Sequence, residues 1–428
     1  MQEAKREVVL TRLIAGRLSV EDAALFLGLS PRSIRRLRAA FLEHGAGALV
    51  HGNRGRAAAH RLDPALVTRV VALARDQYRG VNDSHFTDLL RERERITLSR
   101  ASVQRILRAA AIASPRHHRV RAYRSRRTRR PSEGMLVQVD ASRHRWFGAG
   151  APLASLVGAI DDATGKVFGA CFREQEDAAG YLIVLGQILG QGVPLAVYSD
   201  RHSIFFGAPR TRESLEEELL GRREPTQVGR AFAECGTELI FAHSPQAKGR
   251  IERLWGTFQD RLVVELRLAG ISSIEAANAF LPSYLLRHNV RFAVAAADAQ
   301  PAWRALPDDH SIASICCLKF SRLVAPDNTV GFEGITLQLP PKIRGGWAHQ
   351  RVEVRQHLDG TVAVHAPGGA LLARSATPAV PPRLRVRDYT RAPVAGVQPL
   401  PRNIDRSHPW RQWQGGFSKR KMRRADGV

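Results

Sequence analysis

Apolar positions recur at helical spacing through the first 112 residues and change to short strand-like runs from residue 135. From residue 320 they break into shorter strands cut by glycine turns. A first helix is expected over about Arg6–Ala15. Ser19 caps a second, with Asp22 three residues on and Val20, Ala23, Ala24 and Leu27 as its apolar members. Gly28 makes the turn. Ser30-Pro31 is a cap followed by proline at the first helical position. The third helix carries Ile34, Leu37 and Phe41 on one side and Arg32, Arg35, Arg36 and Arg38 on another. That tri-helical pattern reads as a helix-turn-helix whose last helix offers arginines to phosphates and guanine edges.

Residues 42–63 are rich in Gly, Arg and His and read as a linker. A second helical set follows. One helix spans about Pro64–Tyr78, a second is capped by Ser84 and ends near Arg93, and a third is capped by Ser99. The third packs Val103, Ile106 and Leu107 and leaves Arg100, Gln104, Arg105 and Arg108 outside. Both a second helix-turn-helix and a simple helical hairpin fit. Residues 115–131 hold eight arginines and no acid, so they repel themselves and suit a linker that orders on phosphates.

Three strands are expected at 135–140, 153–162 and 166–172 as an antiparallel meander, then a helix at about 177–190. A fourth strand at 195–200, a charged insertion at 207–225, a helix at about 227–235 and a strand at 238–241 come next. Pro245 breaks that strand, and Ile251, Trp255, Phe258 and Leu262 then mark one face of a long helix. This element order is that of an RNase H-like α/β fold. Residues 274–305 read as further helices. Residues 320–375 read as a small β-barrel, with turns at Asp327-Asn328, Gly345-Gly346, Asp359-Gly360 and Gly368-Gly369.

The expected class is therefore multidomain α+β. A helix-turn-helix domain covers 1–62, a second helical domain 63–114 and a basic linker 115–131. An RNase H-like core covers 132–306, a small β-barrel 320–375 and a basic Pro-rich tail, with its KRKMRR cluster, 376–428.

Charge narrows the partners. Lys and Arg number 65 against 40 Asp and Glu, a formal +25 with a pI near 11.2, which calls for a polyanion. Nucleic acid is favoured over an anionic membrane, because no long uncharged apolar run and no signal-peptide pattern is present. Cys171, Cys235, Cys316 and Cys317 show no CxxC pair and no zinc spacing, and read as reduced buried thiols.

Carboxylates carry the candidate chemistry. Asp140 and Asp200 each end an expected strand, and Glu252 lies in the first turns of the long helix. Neighbouring strands would bring all three to one sheet edge. With no cationic residue directly beside Asp140, the three would repel one another unless a cation sat between them. Mg2+ suits such hard oxygen donors, and two ions suit phosphodiester displacement. No GxxxxGK[ST] loop is present. Asp161-Asp162 precedes ATGK and reads as a turn cap. Glu174, Glu176 and Asp177 read as caps of the next helix, and His202 and His243 as surface histidines. Lys248, Arg250 and Arg253 either hold DNA backbone or offset the acids.

The runs LVQVDASRHRWF, AIDDATGKV, LAVYSDRHSIF and HSPQAKGRIERLWGTFQDRLVVELRLAGI resemble the catalytic core of DDE transposases of bacterial insertion sequences. They are most similar to the ISNCY-like group of the retroviral-integrase superfamily, and the resemblance covers roughly residues 6–375. It implies that Asp140, Asp200 and Glu252 bind Mg2+ or Mn2+, as two ions, and that the chain cleaves transposon ends and joins them to target DNA. It also implies a homo-oligomer on DNA and a cytoplasmic, nucleoid-associated protein. Arg32, Arg35, Arg36, Arg38, Arg105, Arg126, Arg127, Lys248 and Arg250 are the expected DNA contacts. The spacing from Asp200 to Glu252 (252 − 200 = 52) exceeds that of retroviral integrases, and the 207–225 insertion accounts for it. Arg201-His202 stands where Asn-Gly is common in those enzymes. Two other functions share these features: a catalytically silent DNA-binding regulator descended from a transposase, and an RNase H-like nuclease without strand transfer.

Overall fold

The computed structural model describes residues 2–50, 62–115, 127–200, 202–206, 225–241, 248–342 and 345–378. The insertion at 207–225 (but for Pro225), Arg126, His243 and the tail beyond 378 lie outside them. The chain divides into two compact units, Met1–Arg121 and Ala122–Val428. No helix among the described residues is long and apolar enough to cross a membrane.

The first unit begins with α1 (Gln2–Ile14), α2 (Val20–Leu27) and α3 (Pro31–His44). Both expected caps form: Ser19 Oγ accepts from Asp22 N at 3.0 Å and Ser30 Oγ from Ser33 N at 3.2 Å. Gly28 has φ 63°, the left-handed turn between α2 and α3. Leu10, Leu13, Ala23, Ala24, Ile34 and Leu49 form the buried core. Then come α4 (Pro64–Arg75), α5 (Asp83–Glu92) and α6 (Arg100–Ala109), with α6 packed on both others. Ser99 caps α6 as expected, but α5 starts earlier than expected. Asn82, not Ser84, is its cap and accepts from His85 N at 2.9 Å, which leaves Asp83 in the first turn where a negative charge is favoured.

The second unit is built on a five-stranded sheet of order β3-β2-β1-β4-β5. Its strands are β1 (Leu136–His144), β2 (Ala154–Asp161), β3 (Val167–Arg173), β4 (Ala196–Ser199) and β5 (Glu238–Phe241). The first three pair antiparallel, while β4 lies parallel to β1 and β5 parallel to β4. The antiparallel meander of the first three strands is as expected. Three helices cover it: α7 (Ala178–Leu189), α9 (Gln227–Glu234) and α10 (Gly249–Leu268), with a short α8 (Ser203–Phe206) after β4. One core gathers α7 and α9 against the sheet through Val139, Leu182, Leu185, Val197 and Phe232. The other gathers α10 through Ile251, Trp255, Phe258 and Leu262.

Helix α11 (Ile274–Phe292) closes the sheet's β3 edge. Asn278 accepts from Phe172 N (2.7 Å) and donates to its carbonyl (3.1 Å). Asn289 does the same to Val167, at 2.8 and 2.9 Å. The spacings match: 11 helical residues rise about 16.5 Å and 5 strand residues about 16.5 Å. Two amides thus satisfy edge groups that would otherwise recruit another strand.

Residues 293–305 are not helical, contrary to expectation. Their backbone donates to the carbonyls of Thr164, Pro131, Glu133 and Val193 through Val294, Asp298, Ala302 and Arg304, an extended strap with Pro301 within it. Trp303 anchors the strap at Gly134, where a β-carbon would lie 2.7 Å from the indole. The expected β-barrel is also corrected. Strands β6 (Leu318–Leu323), β9 (Arg351–Gln356), β10 (Val362–His365) and β11 (Leu371–Arg374) form an open antiparallel sheet of order β11-β10-β9-β6. A hairpin of β7 (Thr329–Phe332) and β8 (Ile335–Gln338) packs Val330 and Phe332 onto its core instead of joining β11 to β6.

Two predictions follow from α11. Alanine at Asn289 leaves two backbone groups of Val167 without partners and is expected to cost about 1–3 kcal/mol in denaturant unfolding; an unchanged midpoint would remove the edge-closing role. His288, 6% exposed beside Phe258 and Phe292, has no hydrogen-bond partner on Nδ1. Burial, aided by Arg261, pushes its pKa down from 6.5 to about 4. The unfolded chain therefore takes up this proton first as pH falls from about 6.5 towards 4, and stability drops across that window by about 3 kcal/mol. In Tm measured against pH, His288→Phe should remove that part of the slope.

Candidate active site

Strand register brings the two aspartates together. Val137 pairs with Val197 and Gln138 with Tyr198 in the parallel β1–β4 ladder. Asp140 and Asp200 each lie two residues beyond the last pair of that ladder, and both carboxylates reach the Lys248 ammonium. Asp140 does not end β1, contrary to expectation. The strand runs on to His144 because β2 still pairs with it, Asp140 opposite Gly158.

Each oxygen of Asp140 has a partner. Lys248 Nζ donates to Oδ1 at 2.8 Å, and the indole N–H of Trp255 donates to Oδ2 at 3.1 Å. The same ammonium lies 3.5 Å from Asp200 Oδ2. Asp200 Oδ1 accepts the backbone N–H of His202 at 3.1 Å. The expectation that no cation stands beside Asp140 is thus wrong: Lys248 comes from the start of α10 and offsets the acids. Trp255 reaches Asp140 because the residue opposite is glycine. A β-carbon at Gly158 would meet the indole Cη2 at 2.8 Å. His202 uses Nδ1 to accept from Ile204 N at 3.4 Å, which serves the start of α8.

Glu252 lies in the first turn of α10, exposed to solvent. Among the described residues no three His, Cys, Asp or Glu side chains gather closely enough to hold a metal. Asp140 and Asp200 converge on one cation, therefore, and Glu252 stands on the adjoining helix without joining them.

The start of α10 is fixed by a second cluster. Gln138, fully buried, accepts from Ile251 N at 3.3 Å and donates to Asp162 Oδ1 at 2.9 Å. Asp162, also fully buried, accepts from Arg250 Nε at 2.6 Å, Arg130 N at 2.9 Å and the Arg127 guanidinium. Burial alone would push the Asp162 carboxyl up. The Arg130 N–H, Arg250 and Arg127 outweigh it and hold the carboxyl below its ordinary range. Asp161 behaves oppositely. Burial pushes it up while it caps the turn, accepting from Thr164 N at 2.7 Å and Gly134 N at 3.0 Å. Only the first of the pair is the expected turn cap. Asp177 caps α7 through Gly180 N, whereas Glu176 accepts from the Tyr181 hydroxyl at 2.6 Å.

The sequence placed Trp255 only on the apolar face of α10 and Asp162 only in a turn cap, and Gln138 went unread. Gln138 left a signal: a polar residue inside the apolar run LVQV needs a buried partner. Of the expected DNA contacts, Arg32, Arg35, Arg36, Arg38 and Arg105 are exposed. Arg127 and Arg250 are paired to Asp162, their side chains 38% and 12% exposed.

A family described as "Winged helix-turn helix" matches residues 9–66. Among solved structures, the catalytic core of BIV integrase is 19% identical, covering 34% of this chain and 79% of that one, with TM-score 0.24. The HTLV-2 integrase core in complex with magnesium is 14% identical, covering 35% and 82%, with TM-score 0.22. At those overlaps the fold rests on strand order and direction. Full-length relatives say more. A Sinorhizobium fredii protein assigned as transposase y4bF is 34% identical over 375 residues, 86% of this chain and 80% of its own. The transposase for insertion sequence IS1202 of Streptococcus pneumoniae is 34% identical over 327 residues, 68% of this chain and 69% of its own. With such identity sustained across most of both relatives, this DNA-binding chain belongs to the transposases of insertion sequences.

Proposed function

We propose that this transposase cuts DNA at transposon ends and joins them to target DNA at Asp140, Asp200 and Glu252. The carrying observation is the convergence of Asp140 and Asp200 on one ammonium at the end of the β1–β4 ladder. Two carboxylates that share a cation offer hard oxygen donors of the kind Mg2+ or Mn2+ takes. Asp140 and Asp200 would hold such an ion, and Glu252, which stands apart from them on α10, would complete the set only by turning towards it. When bound, a pair of ions would activate a water or 3′-hydroxyl and stabilise the leaving oxygen. The chain's own residues prepare the site. Trp255 orients Asp140, the His202 N–H orients Asp200, and Gln138 fixes the helix turn that carries Glu252.

DNA is held by the exposed arginines of α3, Arg32, Arg35, Arg36 and Arg38, and by Arg105 of α6. Residues 115–131 add sequence-independent attraction, and Arg127 can offer its remaining N–H groups from its place beside Asp162. Lys248 and Arg250 are engaged with carboxylates and would reach phosphate only by leaving them.

Replacing Asp140, Asp200 or Glu252 with Asn or Gln is expected to lower magnesium-dependent nicking and joining of terminal DNA by about a hundred- to a thousandfold. End binding should persist, and Glu275→Gln on α11 should stay active. The synaptic complex should weigh more than one protomer by light scattering, because two ends need two active sites. Wild-type cleavage by Glu252→Gln would sink the site assignment. Separately, Arg35→Ala or Arg36→Ala should weaken binding to terminal repeats by ~1–3 kcal/mol where the arginine reads a base. Unchanged footprints in both variants would remove α3 from the interface.

A further inference from the structure

Lys248 is a lysine with its side chain 9% exposed, set at the boundary of α10. A buried ammonium is stable only when paired. Its partners are the two carboxylates of the proposed metal site, at 2.8 Å from Asp140 and 3.5 Å from Asp200. We propose that Lys248 is a built-in counter-ion that stands where the divalent ion binds and must leave for that ion to enter. The inference rests on the metal reading given above.

Charge and geometry both argue for exchange over coexistence. Two carboxylates and one ammonium sum to −1, whereas two carboxylates and one divalent ion sum to zero. Keeping the ammonium beside the ion would place like charges against each other in a half-buried site. Asp140 cannot avoid the conflict easily, because Trp255 holds its second oxygen and leaves Oδ1 as the outward donor. Asp200 is the looser partner, its side chain 46% exposed and its contact with the ammonium long. The lysine stem is flexible and its ammonium strongly hydrated, so it can swing to water or to a phosphate. Without metal, the ammonium would keep the carboxylates from repelling each other. With metal, it would be expelled.

The test is Mn2+ binding by calorimetry, with thermal melting, on the full chain and its Lys248→Gln, Lys248→Met and Asp140→Asn variants. Lys248→Met keeps the apolar stem and removes only the charge, so it serves even where Gln disturbs packing. Both lysine variants are expected to melt below wild type in chelator and to recover at saturating Mn2+. They should bind Mn2+ more tightly by 5- to 150-fold, on the order of coupling between two linked equilibria. A merely structural lysine would give weaker binding when lost. Affinity equal to or below wild type in both variants, with binding still abolished by Asp140→Asn, overturns the counter-ion and leaves the metal site standing. No Mn2+ binding sensitive to Asp140→Asn in any chain overturns both.

Discussion

A carboxylate with no exposed surface, Asp162, holds the helix that bears Glu252 to the sheet. It draws together Arg250 from α10, Gln138 from β1, and Arg127 and the Arg130 N–H from the end of the basic segment. Such a charge is tolerable in the interior because every donor around it is used; removing one partner of a buried pair costs about 3–5 kcal/mol. The consequence is positional. Gln138 passes the constraint to Ile251 N, one residue before Glu252, so the first turn of α10 has one place relative to β1. The segment with the chain's densest run of arginines ends in the same cluster.

The sheet supplies the other half of the geometry. Because β1 pairs antiparallel with β2 along its length and parallel with β4 only at its start, one strand both threads the centre and opens an edge. Asp140 lies two residues past the last parallel pair, and Asp200 follows the last residue of β4. Gly158 on β2 leaves room for the Trp255 ring over the strand. A fold whose core pairs are Val, Leu and Phe therefore positions a polar pair by register.

Much of this was legible in the sequence. Element order followed from apolar runs bounded by turn residues, and the Ser19, Ser30 and Ser99 caps could be placed because each precedes its helix by one residue. Tertiary pairing decided what could not be read. The extension of β1 through ASRH depends on β2, and no local pattern announces it. The strap after α11 is held by carbonyls up to about 170 residues away, such as that of Pro131, so its apolar residues mimicked a helix. The open C-terminal sheet differs from a barrel only in whether β6 meets β11. In the site, the two aspartates were legible as acids after apolar runs. Lys248 was legible as offsetting the acids or holding DNA, but its place on Asp140 was not, since sequence sets it four residues before Glu252 and far from Asp140.

Charge balance connects the two halves of the site. Asp162 is neutralised by guanidinium groups and backbone N–H, all fixed by packing. Asp140 and Asp200 are neutralised by a single flexible lysine with one short contact and one long. Fixed donors make a scaffold; a flexible donor makes an exchangeable one. Had arginine stood at position 248, its planar fork could have held both carboxylates as firmly as Arg250 holds Asp162. Lysine gives a point charge on a mobile stem, which matches the size of the charge needed and resists departure less. The buried cluster and the carboxylate pair thus differ in the residue type that pairs with them, arginine for the one and lysine for the other.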